Sequence, residues 1–246
     1  MIGIIIQART GSTRFPRKIY EDINGKYTLQ RVLEGVMKAQ FPHKIILAMP
    51  EYDRAELNDR FDKGEFSGCT DNRFSTYFGD ADDLVSRYFF AARENELDLI
   101  VRITADCPLV QNFLIDQALA EYLKKGYNGY MGSNEAVSTV PFPDGVDFEV
   151  FPFWLLAETH QLATDPVHRE HVGPFMYRRG TEYNLYGFKN CRPNTQISMK
   201  FSNFSFDTPE DLRLIKALAE QYDKHGDLNK AIKDTNFEIR EWKGTE

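Results

Sequence analysis

Cysteine is scarce in this chain. Cys69, Cys107 and Cys191 are the only three in 246 residues, an odd number, far apart and without a C-x-x-C pair. That excludes a disulfide framework and a zinc ribbon, and it points to a reducing, cytoplasmic setting. Long hydrophobic runs are missing as well. No stretch approaches the ~20 apolar residues of a membrane span, and the opening isoleucine run is too short for a signal peptide and lacks its basic flank. No membrane partner is expected. Basic charge is in deficit, with 30 Lys and Arg against 37 Asp and Glu and a formal net charge of -7. Nucleic-acid binding rests on neutralising many phosphates at once, so that partner is not expected either. There is no low-complexity linker and no internal repeat, and the chain is read as one domain over 1–246. What is present, 42% hydrophobic and 13% aromatic residues, suffices for one sizeable core with an elaboration.

Against the acidic background one concentration of basic charge stands out. The apolar run Ile2-Gly3-Ile4-Ile5-Ile6 leads into Gln7-Ala8-Arg9-Thr10-Gly11-Ser12-Thr13-Arg14-Phe15-Pro16-Arg17-Lys18. A buried strand that opens into such a turn brings backbone N–H groups and guanidinium forks to its carboxyl end, where open α/β sheets bind ligands. Clusters of N–H groups and of Arg are phosphate receptors, so the loop is read as a polyphosphate-binding mouth rather than a solvated turn. Its spacing matches neither the Walker pattern nor the dinucleotide G-x-G-x-x-G, which excludes a P-loop ATPase and a Rossmann dehydrogenase by motif.

Leu29, Val32, Leu33, Val36 and Met37 recur at helical spacing and lead into the apolar run Lys44-Ile45-Ile46-Leu47-Ala48-Met49-Pro50, which completes a β-α-β unit. The stretch 82–94, with Leu84, Val85, Tyr88, Phe89 and Ala92, predicts another helix, and 97–103 a central strand. A helix over 112–125 ending at Gly126 and a strand over 127–133 continue the alternation. The expected class is therefore α/β, with a mostly parallel central sheet and helices on both faces. From residue 141 a Pro-Phe-Pro-Asp-Gly turn signal precedes alternating acidic and apolar residues, read as a β-rich insertion beside the cleft and part of an insertion or dimerisation element around 134–200. Helical patterns over 154–163 and 166–178 and extended ones over 182–188 and 203–206 follow. Thr208 is then set to cap a helix that has Pro209 at its first position and Asp211 at the reciprocal third.

Asp106 follows the 99–103 run and so lies at the same sheet edge as the basic loop. A carboxylate beside a cation cluster suggests a Mg²⁺ ligand, because magnesium takes one or two carboxylates and fills its shell from water and substrate phosphates. Asp207, which also follows an extended run, is its expected partner if the two strands are parallel. The competing readings are an Asx-turn for Asp106 and an N-cap for Asp207. Asp80, Asp82 and Asp83 sit where acidic residues cap a helix. His168 and His171, at i and i+3, are read as a polar helix face rather than a metal pair, and Cys107 as a buried hydrophobe rather than a nucleophile.

The blocks Ile5 to Arg14 with Lys18, Gly79-Asp80 through Arg87-Tyr88, Ile100 to Leu109, Asp144 to Phe151, Arg169-Glu170-His171-Val172 and Asp207 to Leu212 resemble the cytidylyltransferases that activate sugar acids. The branch is the spore-coat-polysaccharide, SpsF-like one, related to the CMP-Kdo and CMP-sialic acid (acylneuraminate) synthetases. The resemblance implies a single domain of the nucleotide-diphospho-sugar transferase-like three-layer fold. It also implies transfer of CMP from CTP to a sugar acid or related polysaccharide precursor, with Mg²⁺ as cofactor and a homodimeric assembly. By the same analogy Arg9, Arg14, Lys18, Asp106 and Asp207 are catalytic, and Asp106 and Asp207 hold the metal. Nucleotide contacts would come from Ala8, Arg9, Gly11, Ser12, Thr13, Arg14 and Lys18, from Gly79, Asp80 and Arg87, and from Thr104, Ala105 and Asp106. Asp147, Glu149, Arg169 and His171 would face the acceptor or the dimer contact. The chain departs from the family pattern at Arg17, where Gly commonly precedes the Lys, and at Gln111, where Asp is common; Arg17 bears on the turn geometry and is a candidate phosphate contact. Two alternatives stand beside this reading. One is a metal-dependent GT-A-type glycosyltransferase using Asp80-Ala81-Asp82, and the other is a non-catalytic nucleotide-binding relative.

Overall fold

The computed structural model describes residues 1–179, 182–191, 196–201 and 203–236. Strand β1 (Ile2–Gln7) is apolar throughout because both of its faces are covered. Ile4 and Ile6 lie in the core that contains Leu29, Val32 and Leu33 of α1 (Thr28–Met37), while Ile5 lies in a second core on the other face. β2 (Lys44–Pro50), α2 (Arg54–Asp62), β3 (Phe74–Gly79), α3 (Leu84–Glu94) and β4 (Leu99–Thr104) follow, and the four strands run parallel in the order β3-β2-β1-β4. α4 (Asn112–Lys124) packs with α1, and α3 covers the opposite face. This is the expected three-layer arrangement. Two of its elements have no clear sequence signal: α2 buries only Leu57, and β3 is an edge strand with no fully buried residue.

The alternation breaks after β4. β5 (Tyr130–Gly132) is shorter than the expected 127–133 and does not pair with β4. Instead β6 (Glu149–Pro152) inserts antiparallel between them, with Arg102 opposite Glu149. That cross-strand pair carries a salt bridge of 2.7 Å between largely buried partners, which holds β6 at this place in the sheet. The 134–200 segment is thus woven into the sheet, and it carries helices as well as strands: α5 (Phe153–Leu162), α6 (Pro166–Glu170), α7 (Val172–Arg178) and β7 (Leu185–Gly187), which pairs with β5. Residues 180, 181 and 192–195 of that expected element lie outside the described residues.

The strand expected over 203–206 is not one. Its ladder is a single parallel bridge between Asn203 and Asp144, with a Phe204 N–H bond to the Asp144 carbonyl of 2.7 Å. Gly145 allows this contact. At φ +86°, a Cβ there would sit 2.3 Å from the backbone of Phe204 and Ser205, a position only glycine accepts. The segment then enters α8 (Pro209–His225) through the expected reciprocal cap between Thr208 and Asp211. The Asp211 carboxylate also accepts the Asp207 N–H at 3.2 Å, pinning that residue's backbone. α9 (Leu228–Asp234) closes the described chain against α8.

Candidate active site

The parallel register between β1 and β4 sets Gln7 beside Thr104, and the Ala105 N–H continues the ladder to the Gln7 carbonyl at 3.0 Å. The basic loop and Asp106 therefore leave the same sheet edge side by side. The loop folds onto itself, since the Thr10 carbonyl accepts N–H bonds from Ser12 at 3.0 Å and from Arg17 at 2.8 Å. It is tied to the body by buried Asp53, which accepts the Thr10 N–H at 3.1 Å and the Thr10 hydroxyl at 2.5 Å. Arg17 adopts a left-handed φ of 61°, the conformation for which Gly is suited. Its guanidinium pairs with Glu56 rather than lining the cleft.

Asp106 and Asp207, 101 residues apart in sequence, meet across one ammonium. Lys18 Nζ lies 2.5 Å from Asp106 Oδ2 and 2.9 Å from Asp207 Oδ1. Arg14 adds a contact of 2.8 Å to the other oxygen of Asp207. Burial alone would push the Asp106 carboxyl up, but the Lys18 charge and hydrogen bond hold it below the usual range. Burial likewise opposes the Lys18 ammonium, and Asp106 and Asp207 outweigh it and raise its pKa. Asp207 reaches this point from the 203–206 loop and the α8 cap, so the parallel-strand route expected for it is replaced by the glycine contact at 145.

These residues border a cleft of about 640 Å³. Ala8, Arg9, Ser12, Thr13, Arg14 and Lys18 line it, as do Arg87, Thr104, Ala105, Asp106 and Asp207. Asp147, Glu149 and His171 line it too. Arg9 is exposed and makes no ion pair among the described residues, so its guanidinium is uncommitted. Arg87 is buried, its Nε has no partner, and burial with Arg9 nearby lowers its pKa. Gly11, Gly79, Asp80 and Arg169 are not part of the lining. Gly11 lies against the Tyr52 hydroxyl, where a Cβ would come within 2.7 Å, and a Cβ on Gly79 would meet Tyr77 at 2.9 Å. The Asp80 carboxylate accepts the N–H groups of Asp82 and Asp83 at 2.9 and 2.7 Å, which is a capping role. Arg169 is turned toward the start of α3, donating to Asp83, to the Ser86 hydroxyl at 2.7 Å and to the His160 carbonyl at 2.8 Å. Its place follows from the carboxylate at the α3 cap, which also accepts the Ser86 N–H and hydroxyl and captures the guanidinium.

Gln111 is buried and donates to the Leu109 carbonyl at 2.6 Å, without capping α4 through its side chain. Cys107 is buried beside Asp106, and burial followed by that charge raises its thiol far above the ordinary value, so it is no nucleophile. His168 packs edge-on to Phe175. Among the described residues no group of three His, Cys, Asp or Glu side chains is arranged to hold a metal.

Several cleft residues were not apparent from the sequence. Arg102, Asp144 and Glu170 line the cleft. Arg102 interrupts an otherwise apolar buried strand, and that anomaly was the signal for it. Its Nε donates to Gln7 at 2.9 Å and its Nη1 to Glu149 at 2.7 Å. Asp144 was hidden inside a turn motif. Burial, then the charge of Asp106, lifts its carboxyl. Burial, then the Asp144 charge, raises Asp147 to about 7, although the Gly145 N–H donates to it.

The family model described as cytidylyltransferase matches residues 3–233. An uncharacterized protein of Methanocaldococcus jannaschii is 28% identical over 98% of this chain and 96% of its own length. The spore coat polysaccharide biosynthesis protein SpsF of Bacillus subtilis is 22% identical over 93% and 90%. A 3-deoxy-manno-octulosonate cytidylyltransferase of Trichlorobacter lovleyi is 31% identical over 50% of this chain and 45% of its own. Among solved structures, a cytidylyltransferase from Leptospira borgpetersenii superposes with a TM-score of 0.76 at 25% identity, covering 97% of this chain and 99% of that one.

Proposed function

The chain belongs to the cytidylyltransferase family, and from that premise we propose that it transfers the CMP group of CTP to an oxygen of a sugar-type acceptor and releases pyrophosphate. The observation that carries this reading is the convergence of Lys18, Arg14, Asp106 and Asp207 at one mouth of the cleft, beside the uncommitted Arg9. The acceptor hydroxyl attacks the α-phosphorus in line, a new P–O bond forms, and the bond to the β-phosphate oxygen breaks. Its electron pair leaves with pyrophosphate, and the hydroxyl proton passes to solvent. Such transfer is mostly positioning and charge stabilisation, so no protein nucleophile is needed. Arg9, Arg14 and Lys18 hold the triphosphate and neutralise the departing pyrophosphate, and Arg87 presents a further buried cation to the nucleotide.

Asp106 and Asp207 would hold magnesium. Two hard oxygen donors that already share one cation, Lys18, support that fit, the remaining positions falling to water and phosphate oxygens. When bound, the ion supplies charge neutralisation at the transferring phosphoryl group. The glycosyltransferase alternative is weakened, because Asp80 is not part of the cleft lining and its Oδ1 accepts two backbone N–H groups, leaving Asp82 of that motif at the cleft. The acceptor named for one relative is a sugar acid. The test is pyrophosphate release from CTP with Mg²⁺ and acceptor. Asp106→Asn is expected to lower turnover by roughly 10²–10³-fold, the scale of losing one electrostatic stabiliser; undiminished turnover would remove Asp106 from the chemistry.

A further inference from the structure

α6 is short, and none of its five side chains is fully buried, so apolar packing does little to place it. Among the described residues, Arg169 carries its hydrogen bonds to other elements. Nε donates to Asp83 Oδ2 at 3.0 Å, Nη2 to that same oxygen and to the Ser86 hydroxyl at 2.7 Å, and Nη1 to the His160 carbonyl at 2.8 Å. A planar fork engaged at all three nitrogens fixes direction as well as distance. Asp83 divides its oxygens between two tasks. Oδ1 accepts the Ser86 N–H at 2.9 Å and caps α3, while Oδ2 takes the Ser86 hydroxyl at 2.8 Å and the guanidinium. Burial raises this carboxyl, but Arg169 and Ser86 hold it below the usual range, so the pair is ionised. With its hydrogen given to Asp83, the Ser86 hydroxyl accepts from Arg169 and, at 3.1 Å, from the His160 Nε2–H. The His160 ring is itself stacked on Phe89 at 4.3 Å. Both segments joined in this way reach the cleft: Asp82, Leu84 and Arg87 line it at the start of α3, and Glu170 and His171 line it immediately after Arg169.

We propose that Arg169 is a positioning residue: it docks the α6–α7 junction on the capped start of α3 and so holds Glu170 and His171 in place across from Arg87. The service of those two side chains to the acceptor rests on the CMP-transfer reading; the docking itself does not. Because the α3 cap uses the other carboxylate oxygen, removing the guanidinium frees the junction and leaves α3 and Arg87 where they are. The test compares the full chain with Arg169→Gln, Arg169→Lys and Asp83→Asn. Three readouts are taken: hydrogen–deuterium exchange, calorimetric titration of a non-hydrolysable CTP analogue with Mg²⁺, and pyrophosphate release over a panel of sugar acids and sugar phosphates. In Arg169→Gln, exchange over 166–172 is expected to quicken about tenfold while 84–94 is unmoved. The Kd of the analogue stays within about twofold of the parent's, and the KM of the accepted sugar rises about tenfold, as for a group displaced without loss of the chemistry. Arg169→Lys, which keeps the charge but not the fork, falls between, and Asp83→Asn, whose amide oxygen still caps α3, shows the same pattern more weakly. Unchanged exchange over 166–172, equal quickening over 84–94, loss of analogue affinity, or an acceptor KM unmoved while the junction loosens overturns the positioning role. A parent that binds no analogue, or releases no pyrophosphate with any member of the panel, overturns the CMP-transfer reading instead, and the exchange pattern still decides the docking.

Discussion

Two carboxylates in the same cleft shift in opposite directions, because burial raises both and only Asp106 has a cation in contact that outweighs it. Asp106 is held below the usual range once Lys18 overcomes its burial, while Asp147 is lifted to about 7 by burial, Asp144 and, more weakly, Glu149, with Arg102 opposing. The native pKa of Asp147 exceeds the ordinary 3.8, so between those values the folded protein binds more protons than the unfolded chain and stability falls as pH rises. Asp147→Asn removes that loss. Calorimetry is therefore expected to find the variant more stable than the parent at about pH 8 and nearly equal to it at about pH 4. A gain independent of pH would contradict the raised pKa. Asp106 has the reverse linkage: its contribution is present above 3.8 and is lost as acid protonates it. At this scale, Lys18, Asp106 and Asp207 were legible in the sequence because charged residues that follow buried runs have few structural reasons to be there. That Arg169 pairs with Asp83 was not legible, because an Arg in a promising motif does not announce which carboxylate it will find.

Elements, rather than single side chains, bring Asp207 to the cleft. The 203–206 segment has too little ladder to position itself, and its place depends on close approach to Gly145 and on the cap at the start of α8. Gly145→Ala adds a Cβ where backbone atoms lie 2.3 Å away and forces an L residue to φ +86°. The expected cost is roughly 3 kcal/mol, read as a lower urea midpoint, with a loss of CTP affinity as Asp207 is displaced. A variant with the parent's midpoint and affinity would show that the two segments adapt freely. The helices and strands with strong periodicity were readable, because a 3.6- or 2-residue repeat records which face is buried. α2 and β3 were not, since one contributes a single buried side chain and the other is a half-buried edge. The antiparallel insertion of β6 was invisible for another reason: pairing of Arg102 with Glu149 is a long-range contact that local pattern does not encode.

The molecule as a whole is acidic, with a net charge of -7, yet it gathers cations at one mouth. Its field therefore disfavours extended polyanions, while the cleft attracts a small one. Binding of Mg·CTP to the folded state alone should stabilise it by about 2.7 kcal/mol at a hundred times Kd, a Tm rise of roughly 5–10 °C for a chain of this size. The rise should shrink with added salt, because Arg9 and the 72% exposed Arg14 side chain are open to screening. A thermal-shift titration checks both, and a salt-independent rise would place the ligand elsewhere. By itself the sequence determined the layered α/β class, the first parallel strands and the cationic loop, for these follow from composition, periodicity and residues close together in the chain, and it carried the motif blocks that resemble the family. Only the tertiary structure decided that Lys18 lies between Asp106 and Asp207, that β6 enters the sheet beside β4, and that Asp144, Asp147 and Glu149 line the same cleft. Each of those joins segments far apart in sequence, and the energy that selects such a contact belongs to packing and charge in three dimensions.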